Sequence, residues 1–321
     1  RETRNISSIT MDSIKVGLAQ IAPIWCDREA TTEKINQYIS DAATNGCGLV
    51  VFGEGTLPGY PFWLSTSNGS NFNNPVQKEI FAHYAQAAVV IERGDLDTVC
   101  TSAKEHGIAV YLGIIERPMD RSGHSLYCSL VYINNEGTIC SVHRKLCPTY
   151  EERLVWSPGD GNGLTTHPLP PFTVGGLNCW ENWMPLARTA LYAQGENLHV
   201  AVWPGAKRIT EDITRFAAKE GRSFFVSVSG LMRKSDYPEN TPHLNILLEN
   251  NDELIADGGS CVAHPDGSWV LEPQCGEEGL YEVDLNISDV FAERQNFDPT
   301  GHYSRPEVLK MTINKDRQHI L

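Results

Sequence analysis

The 321-residue chain has no long apolar run: nothing approaches the roughly 18 consecutive apolar residues a membrane helix needs, so no membrane partner is expected. It has no Lys/Arg-rich run either. Acidic residues outnumber basic ones 40 to 26, for a net charge of -14, which excludes an electrostatic grip on nucleic acid. The nine cysteines include no CxxC pair and no regular spacing. An odd, scattered set fits reduced thiols in a cytoplasmic protein rather than a disulfide framework. The ten histidines include no HxxxH or HExxH pair, so no metal is expected. The opening stretch, RETRNISSITMDS, is polar and lacks the apolar segment of a secretory signal; residues 1–13 read as a disordered tail, with Met11 a natural start. No repeat, low-complexity tract or Pro/Gly/Ser linker divides the rest. Residues 14–290 are therefore expected to form one domain, with 291–321 a C-terminal extension.

What is present suffices for a large core, since 41% of the residues are hydrophobic. IKVGLAQIAP (Ile14 to Pro23) has strand length, and the stretch from Arg28 to Asn45 reads as a helix stopped at Gly46. GLVVFGEG, bounded by Gly48 and Gly55, is a short buried strand. Helices are expected over Val76 to Arg93 and Leu96 to His106, then a strand over Ile108 to Glu116. LYCSLVYIN and TICSVHRKL flank a turn at NEG and form a hairpin. Strands FTVGGLNC, NLHVAVWPG and SFFVSVSGL alternate with helices over Met184 to Gln194 and Thr210 to Glu220. A last hairpin turns at HPDGS, and GLYEVDLN is a further strand. Strands alternating with helices, mixed with hairpins, indicate an α/β protein, and their number suits two stacked sheets better than one.

Three strands end in ways that packing does not require. VVFGEG delivers Glu54 between two glycines, SVHRKLCPT delivers Lys145, and VGGLNCWEN delivers Cys179 where strand gives way to helix. Ligands bind at strand C-termini in open α/β sheets, so the three can converge there. Each also has a plain alternative: a turn glutamate, a solvated hairpin lysine, a buried cysteine acting as a small hydrophobe. The chemistry is coherent if they meet. A helix N-terminus, capped by Asn182 with Pro185 in its first turn, lowers a thiol's pKa. A carboxylate takes the thiol proton and later activates water, and a lysine holds developing negative charge. Such a Glu-Lys-Cys site suits addition of a thiol to an electron-poor carbon.

Three blocks in order resemble the signature blocks of the nitrilases, in the carbon–nitrogen hydrolase superfamily. They are FGEGTLPGYPFW (Phe52 to Trp63), HRKLCPTYEERLVWSPGDG (His143 to Gly161) and GGLNCWENWMPLARTALYAQG (Gly175 to Gly195). The resemblance runs on through HVAVWPG, AAKEGRSFF, GGSCVAHPDG and FDPTGHYSRPEVL, covering about residues 14 to 309. It implies an α-β-β-α sandwich whose subunits pair into a homodimer or a larger spiral homo-oligomer, with His302 to Arg305 at an interface or packed on their own subunit. It implies Glu54 as general base, Lys145 as stabiliser of the tetrahedral intermediate and Cys179 as nucleophile. Glu152 in PTYEER matches the family's second glutamate; without the resemblance it reads better as a surface acid paired with Arg153. Gly53 and Gly55 stand where nitrilases often have Pro and a larger residue.

CWEN followed by MPL is similar to true nitrilases; amidase, carbamoylase and ureidopropionase branches carry other residues there, and cyanide-degrading relatives commonly have His in place of Asn182. The implied reaction is hydrolysis of an organic nitrile with water, through a thioimidate and a thioester on Cys179. Lys145 and the Trp180 backbone N–H hold the intermediate, and no metal or organic cofactor is needed. Tyr60, Trp63, Tyr150 and Trp180 lie near these residues in sequence, as do Phe62 and Trp183. They would line a pocket for an aromatic or arylaliphatic nitrile, or belong to the core, as an amphipathic helix would place Trp183. Alternatives are an amidase or cyanide dihydratase on the same scaffold, and a catalytically silent assembly or binding protein. A papain-like hydrolase would need a dedicated histidine that no motif nominates.

Overall fold

Val16 and Leu18 of the first strand face one apolar cluster while Gly17 and Ala19 face another, and all four are buried. A strand buried on both faces needs a layer on each side. The computed structural model supplies both layers; it describes residues 12–249 and 252–318. The expected tail over residues 1–13 therefore falls almost wholly outside the described residues.

In chain order the first half comprises β1 (Ser13–Gln20), α1 (Arg28–Thr44), β2 (Leu49–Phe52), α2 (Trp63–Thr66), α3 (Pro75–Ala87) and α4 (Asp97–His106). It continues with β3 (Ala109–Glu116), β4 (Tyr127–Ile133) and β5 (Ile139–Arg144). The second half opens with β6 (His167–Leu169), β7 (Phe172–Asn178), α5 (Pro185–Tyr192), β8 (Leu198–Trp203) and α6 (Lys207–Gly221). There follow β9 (Phe224–Ser229), β10 (Leu231–Arg233), α7 (Leu244–Glu249), β11 (Leu254–Ala263), β12 (Trp269–Cys275), β13 (Gly279–Asn286) and α8 (Ile287–Glu293).

One sheet has the order β13-β1-β2-β3-β4-β5 and the other β10-β11-β9-β8-β7-β6, with β12 also on β11. In each, three neighbouring strands run parallel, β1-β2-β3 and β7-β8-β9, and antiparallel strands close the edges. Val16, Leu18, Val51, Tyr111 and Leu130 meet Val174, Val200, Val202, Val226 and Val262 between the sheets. Val50, Val110 and Leu112 pack outward on Ile35, Ile39, Val99 and Ala103 of α1 and α4. Ala201, Phe225 and Leu177 pack outward on α5 and α6 through Leu191, Ile213 and Ala217. The result is the α-β-β-α sandwich. Among the described residues no helix is long and apolar enough to cross a membrane.

Several boundaries differ from the sequence reading. α1 starts where Asp27 accepts from the Ala30 N–H and ends before Gly46, whose φ is +85°. The helix expected to run to Arg93 stops at Ala87, because the β-branched Val89 instead pairs with the edge of β3, accepting from Arg117 and donating to Ile115. The run SFFVSVSGL breaks at Gly230 into β9 and β10. β13 crosses to the first sheet to pair with β1, from Ser13 opposite Asn286 to Gln20 opposite Gly279. α8 spans the expected boundary at residue 290. Farther on, Asn162 donates to the Lys315 carbonyl and Arg317 pairs with Asp160, so this part of the C-terminal segment lies on its own subunit. His302, Tyr303 and Arg305 project from the surface.

Candidate active site

Glu54 sits just past β2 and is tied to the other sheet: its N–H donates to the Trp203 carbonyl at the end of β8, 3.1 Å away. The flanking glycines have steric causes. A Cβ on Gly53 would lie 2.7 Å from the Gly230 nitrogen, and Gly55 has φ +60°. Lys145 follows β5 and donates its N–H to the Cys128 carbonyl on β4. Glu152 lies in a short helical turn, Tyr150–Leu154, opened by Thr149 in a capping box. Cys179 follows β7 with φ +47°, a left-handed conformation that a non-glycine residue adopts at a cost of about 1–3 kcal/mol.

The structure brings Glu54, Lys145 and Glu152 into one buried array. Lys145 Nζ lies 2.8 Å from Glu54 Oε1 and 2.7 Å from Glu152 Oε2. Glu152 also accepts from the Tyr60 hydroxyl (2.6 Å) and the Thr149 N–H (2.6 Å). The Cys128 thiol donates to Glu54 Oε1 at 3.4 Å. Glu54 Oε2 is buried and has no hydrogen-bond partner among the described residues. The Arg153 pairing considered for Glu152 is not made; Arg153 donates to the Pro148 carbonyl.

Burial pushes the Glu54 carboxyl up to about 7; Lys145 pulls it down and Glu152 pushes it up. Burial opposes the Lys145 charge, but Glu54, Cys179 and Glu152 overcome it and hold the ammonium well above its usual range. Cys179 departs from the sequence reading. Burial, then Glu54, raises its thiol well above the ordinary value, against the lowering effects of Lys145 and the Trp180 N–H. The helix expected to lower it is only a five-residue turn, Cys179–Trp183, and cannot outweigh burial beside two carboxylates. Cys179 therefore rests as a thiol and needs a base.

Asn182 is not the helix cap expected of it. α5 begins at Pro185 after Met184, and Asn178 caps the preceding turn reciprocally with Glu181. Glu181 accepts from the N–H groups of Asn178 and Leu146 and pairs with His143 Nε2, tying the cysteine turn to the lysine strand. Burial raises the Glu181 carboxyl, but His143 and these N–H groups lower it further, to a net value below the usual range.

A cavity of about 850 Å³ opens onto Cys179 and Glu152. Tyr60, Phe62, Tyr150 and Trp180 are among the residues that line it. Trp63 does not: it is buried in a separate cluster with Leu64, Ile80 and Tyr84, because the first turn of α2 faces inward. Trp183, expected in the core, is 41% exposed and stacks on Trp180. Sequence reasoning missed another part of the lining, from Pro204–Ile209, Leu254, Ile255 and Asp257. The signal was available, since HVAVWPG ends a parallel strand at the same edge as Cys179. The inward side of Cys128 carried no such signal. Among the described residues no group of three or more His, Cys, Asp or Glu side chains is arranged to hold a metal ion.

Comparison with known proteins gives one consistent family. The carbon–nitrogen hydrolase family matches residues 15–295. A nitrilase 2 from an unknown prokaryotic organism is 36% identical over 95% of this chain and 94% of its own. An aliphatic nitrilase of Sinorhizobium fredii (strain HH103) is 33% identical over 95% and 97%. A bifunctional nitrilase/nitrile hydratase of Lupinus angustifolius is 31% identical over 97% and 89%. Among solved structures, a carbon–nitrogen hydrolase from Helicobacter pylori G27 superposes with a TM-score of 0.69 at 17% identity, over 92% of this chain and 96% of its own. A mutant amidase of Nesterenkonia AN1 gives 0.65 at 18%, over 88% and 94%. These two speak to the fold.

Proposed function

This chain belongs to the carbon–nitrogen hydrolase family, in its nitrilase branch, and acts as a hydrolase on carbon–nitrogen bonds; from that premise we propose that it converts an organic nitrile to a carboxylic acid and ammonia through a covalent bond to Cys179. One observation carries the reading. Glu54 is tethered to Lys145 through one oxygen, its other oxygen is buried with no hydrogen-bond partner among the described residues, and its charge acts on the Cys179 thiol.

In this reading Glu54 Oε2 takes the Cys179 proton, the sulfur attacks the nitrile carbon, and the proton passes to nitrogen to give a thioimidate. Water adds as Glu54 accepts its proton, and the resulting tetrahedral carbon is held by the Lys145 ammonium and the Trp180 N–H. The protonated nitrogen departs as ammonia, leaving a thioester. A second water, again deprotonated by Glu54, releases the acid and restores the thiol. Glu152 keeps Lys145 in place and is itself held by Tyr60 and Thr149.

Tyr60, Phe62, Tyr150 and Trp180 favour an aromatic or arylaliphatic nitrile in the cavity. A second outcome is supported by the relative named as a bifunctional nitrilase/nitrile hydratase. If the tetrahedral carbon expels sulfur instead of ammonia, an amide leaves. The nine free cysteines suit a reducing cytoplasm. Exposed Leu186 on α5 and Phe216 on α6 support pairing into a homo-oligomer.

The test is release of ammonia, acid and amide from aromatic, arylaliphatic and aliphatic nitriles, with matched amides and cyanide alongside. Acid and ammonia from a nitrile, lost in Cys179→Ala, is the expected result. Turnover of amides or cyanide alone would move the chain to another branch of the same chemistry, and turnover surviving Cys179→Ala would end the thiol mechanism.

A further inference from the structure

Beneath the cysteine turn lies a buried polar chain that the proposed reaction does not use. Asn182 Nδ2 donates to the Cys179 carbonyl at 2.9 Å and to the Leu177 carbonyl at 3.3 Å. Its Oδ1 lies 2.8 Å from His199 Nε2, and His199 Nδ1 lies 2.9 Å from Glu196 Oε1. All three residues are wholly excluded from solvent, and the imidazole stacks on Phe225 at 4.3 Å. Arg188 holds the Asn182 carbonyl from the other side and is itself gripped by Glu220.

The hydrogens in this chain are determined by donor counting. Two carbonyls face the Asn182 nitrogen, so it is the NH₂ group, and Oδ1 must accept. His199 Nε2 therefore carries a hydrogen. Nδ1 and Glu196 Oε1 can then meet only across a second proton, whichever of the two holds it. The direction of the whole chain runs outward from Glu196 to the Cys179 carbonyl.

That carbonyl shares a planar trans peptide with the Trp180 N–H, and the two point in opposite directions. Gripping the C=O from inside aims the N–H outward, toward the thiol and the cavity. The same grip over-determines the left-handed φ of Cys179. We propose that Glu196, His199 and Asn182 form a positioning relay that fixes the Cys179–Trp180 peptide, so that the Trp180 N–H faces the sulfur and the charge that develops beside it. The catalytic consequence rests on the nitrile reading above; the effect on the thiol does not. The Trp180 N–H already favours the thiolate against burial. The charged or titratable groups acting on that sulfur, Glu54, Glu152, Lys145 and Tyr60, lie outside the relay.

Asn182→Asp is nearly isosteric and removes the amide donors, but it adds a carboxyl whose charge would itself raise the thiol. The uncharged Asn182→Leu, of similar shape, must therefore show the same changes for the relay to stand. His199→Gln, compared with His199→Ala, keeps a donor for Asn182 Oδ1. Each variant is checked for a cooperative melt and counted by titratable Cys179, with Cys179→Ala marking the background thiols. The relay predicts two changes in Asn182→Asp. The pH midpoint of iodoacetamide alkylation at Cys179 moves up, and kcat per titrated site on the best nitrile falls about 10²-fold, the usual effect of losing one oxyanion donor. His199→Gln should lose less than His199→Ala on both readouts, which also decides the matter should Asn182→Asp not fold. A folded Asn182→Asp with the parent midpoint and kcat, or equal losses in the two His199 variants with an unmoved midpoint, would overturn the relay. If the parent turns over no nitrile, the functional reading fails, while the alkylation midpoints still decide the relay.

Discussion

Glu54 can act as a base only while its carboxylate is charged, and burial makes that charge hard to hold, pushing the group up to about 7. Below that value the carboxyl is protonated and cannot take the Cys179 proton. The expected profile of kcat/KM therefore rises with pH through a limb near 7. Glu54→Gln should erase the limb and cost at least about 10²-fold, measured across pH with folding followed in parallel. The linkage to stability has the same origin: a carboxyl raised in the folded state favours folding most at acid pH and loses that contribution as pH climbs through about 7. Lys145 sits between two fully buried carboxylates, so Lys145→Met leaves both without their cation. The expected loss is roughly 3–5 kcal/mol at neutral pH by urea unfolding, shrinking on acidification as the carboxylates gain protons. Places at strand ends only suggested Glu54, Lys145 and Cys179 as a group, with plain alternatives open for each; the three blocks resembling the nitrilases are what singled them out. The thiol's resting state was not legible, because its sign depends on burial, which only neighbours from other strands supply.

Among the elements, the strand ends do the positioning, and close backbone approach is what they require. Gly113 on β3 faces the Glu54 loop so tightly that an added Cβ would sit 2.2 Å from the Gly53 carbonyl and 2.8 Å from the Glu54 Cα. Gly113→Ala should therefore both destabilise the fold, by about 1–3 kcal/mol, and lower kcat by displacing Glu54. Denaturant midpoints and turnover per folded molecule test the two effects together. Element type was readable wherever apolar period and a stop signal agreed, as in α1, with Asp27 before it and Gly46 after it. It misled where a β-branched run followed a helix, since Val89 reads as helical by continuity and is claimed by the β3 edge. Trp63 misled for a related reason. Its closeness in sequence to Glu54 says nothing about which way the first turn of α2 faces.

For the whole molecule, Leu186 on α5 (69% exposed) and Phe216 on α6 (53%) are among the large apolar side chains left in solvent, and in the proposed assembly they meet a second copy. Light scattering should find a dimer or larger assembly, and Leu186→Glu should shift it toward smaller species; a monodisperse monomer for the parent chain would sink the assembly reading. The two-sheet architecture follows from the amino-acid order, because strands apolar on both faces must be covered on both. The candidate chemistry is suggested by it as well, because a glutamate, a lysine and a cysteine each stand where a strand stops, but the roles assigned to them came from the resemblance to the nitrilases. Three things needed the tertiary structure: the unpaired oxygen of Glu54, the raised thiol of Cys179, and the chain from Glu196 to the Cys179 carbonyl. The first two depend on the exclusion of water around groups brought in by separate strands, and the third on the 2.8 Å contact that joins the turn bearing Asn182 to His199 on the neighbouring strand. The packing of one sheet on the other buries Glu54 against Trp203, and the helices on the outer face of the second sheet enclose the chain of His199 and Asn182 beside Phe225 and Arg188.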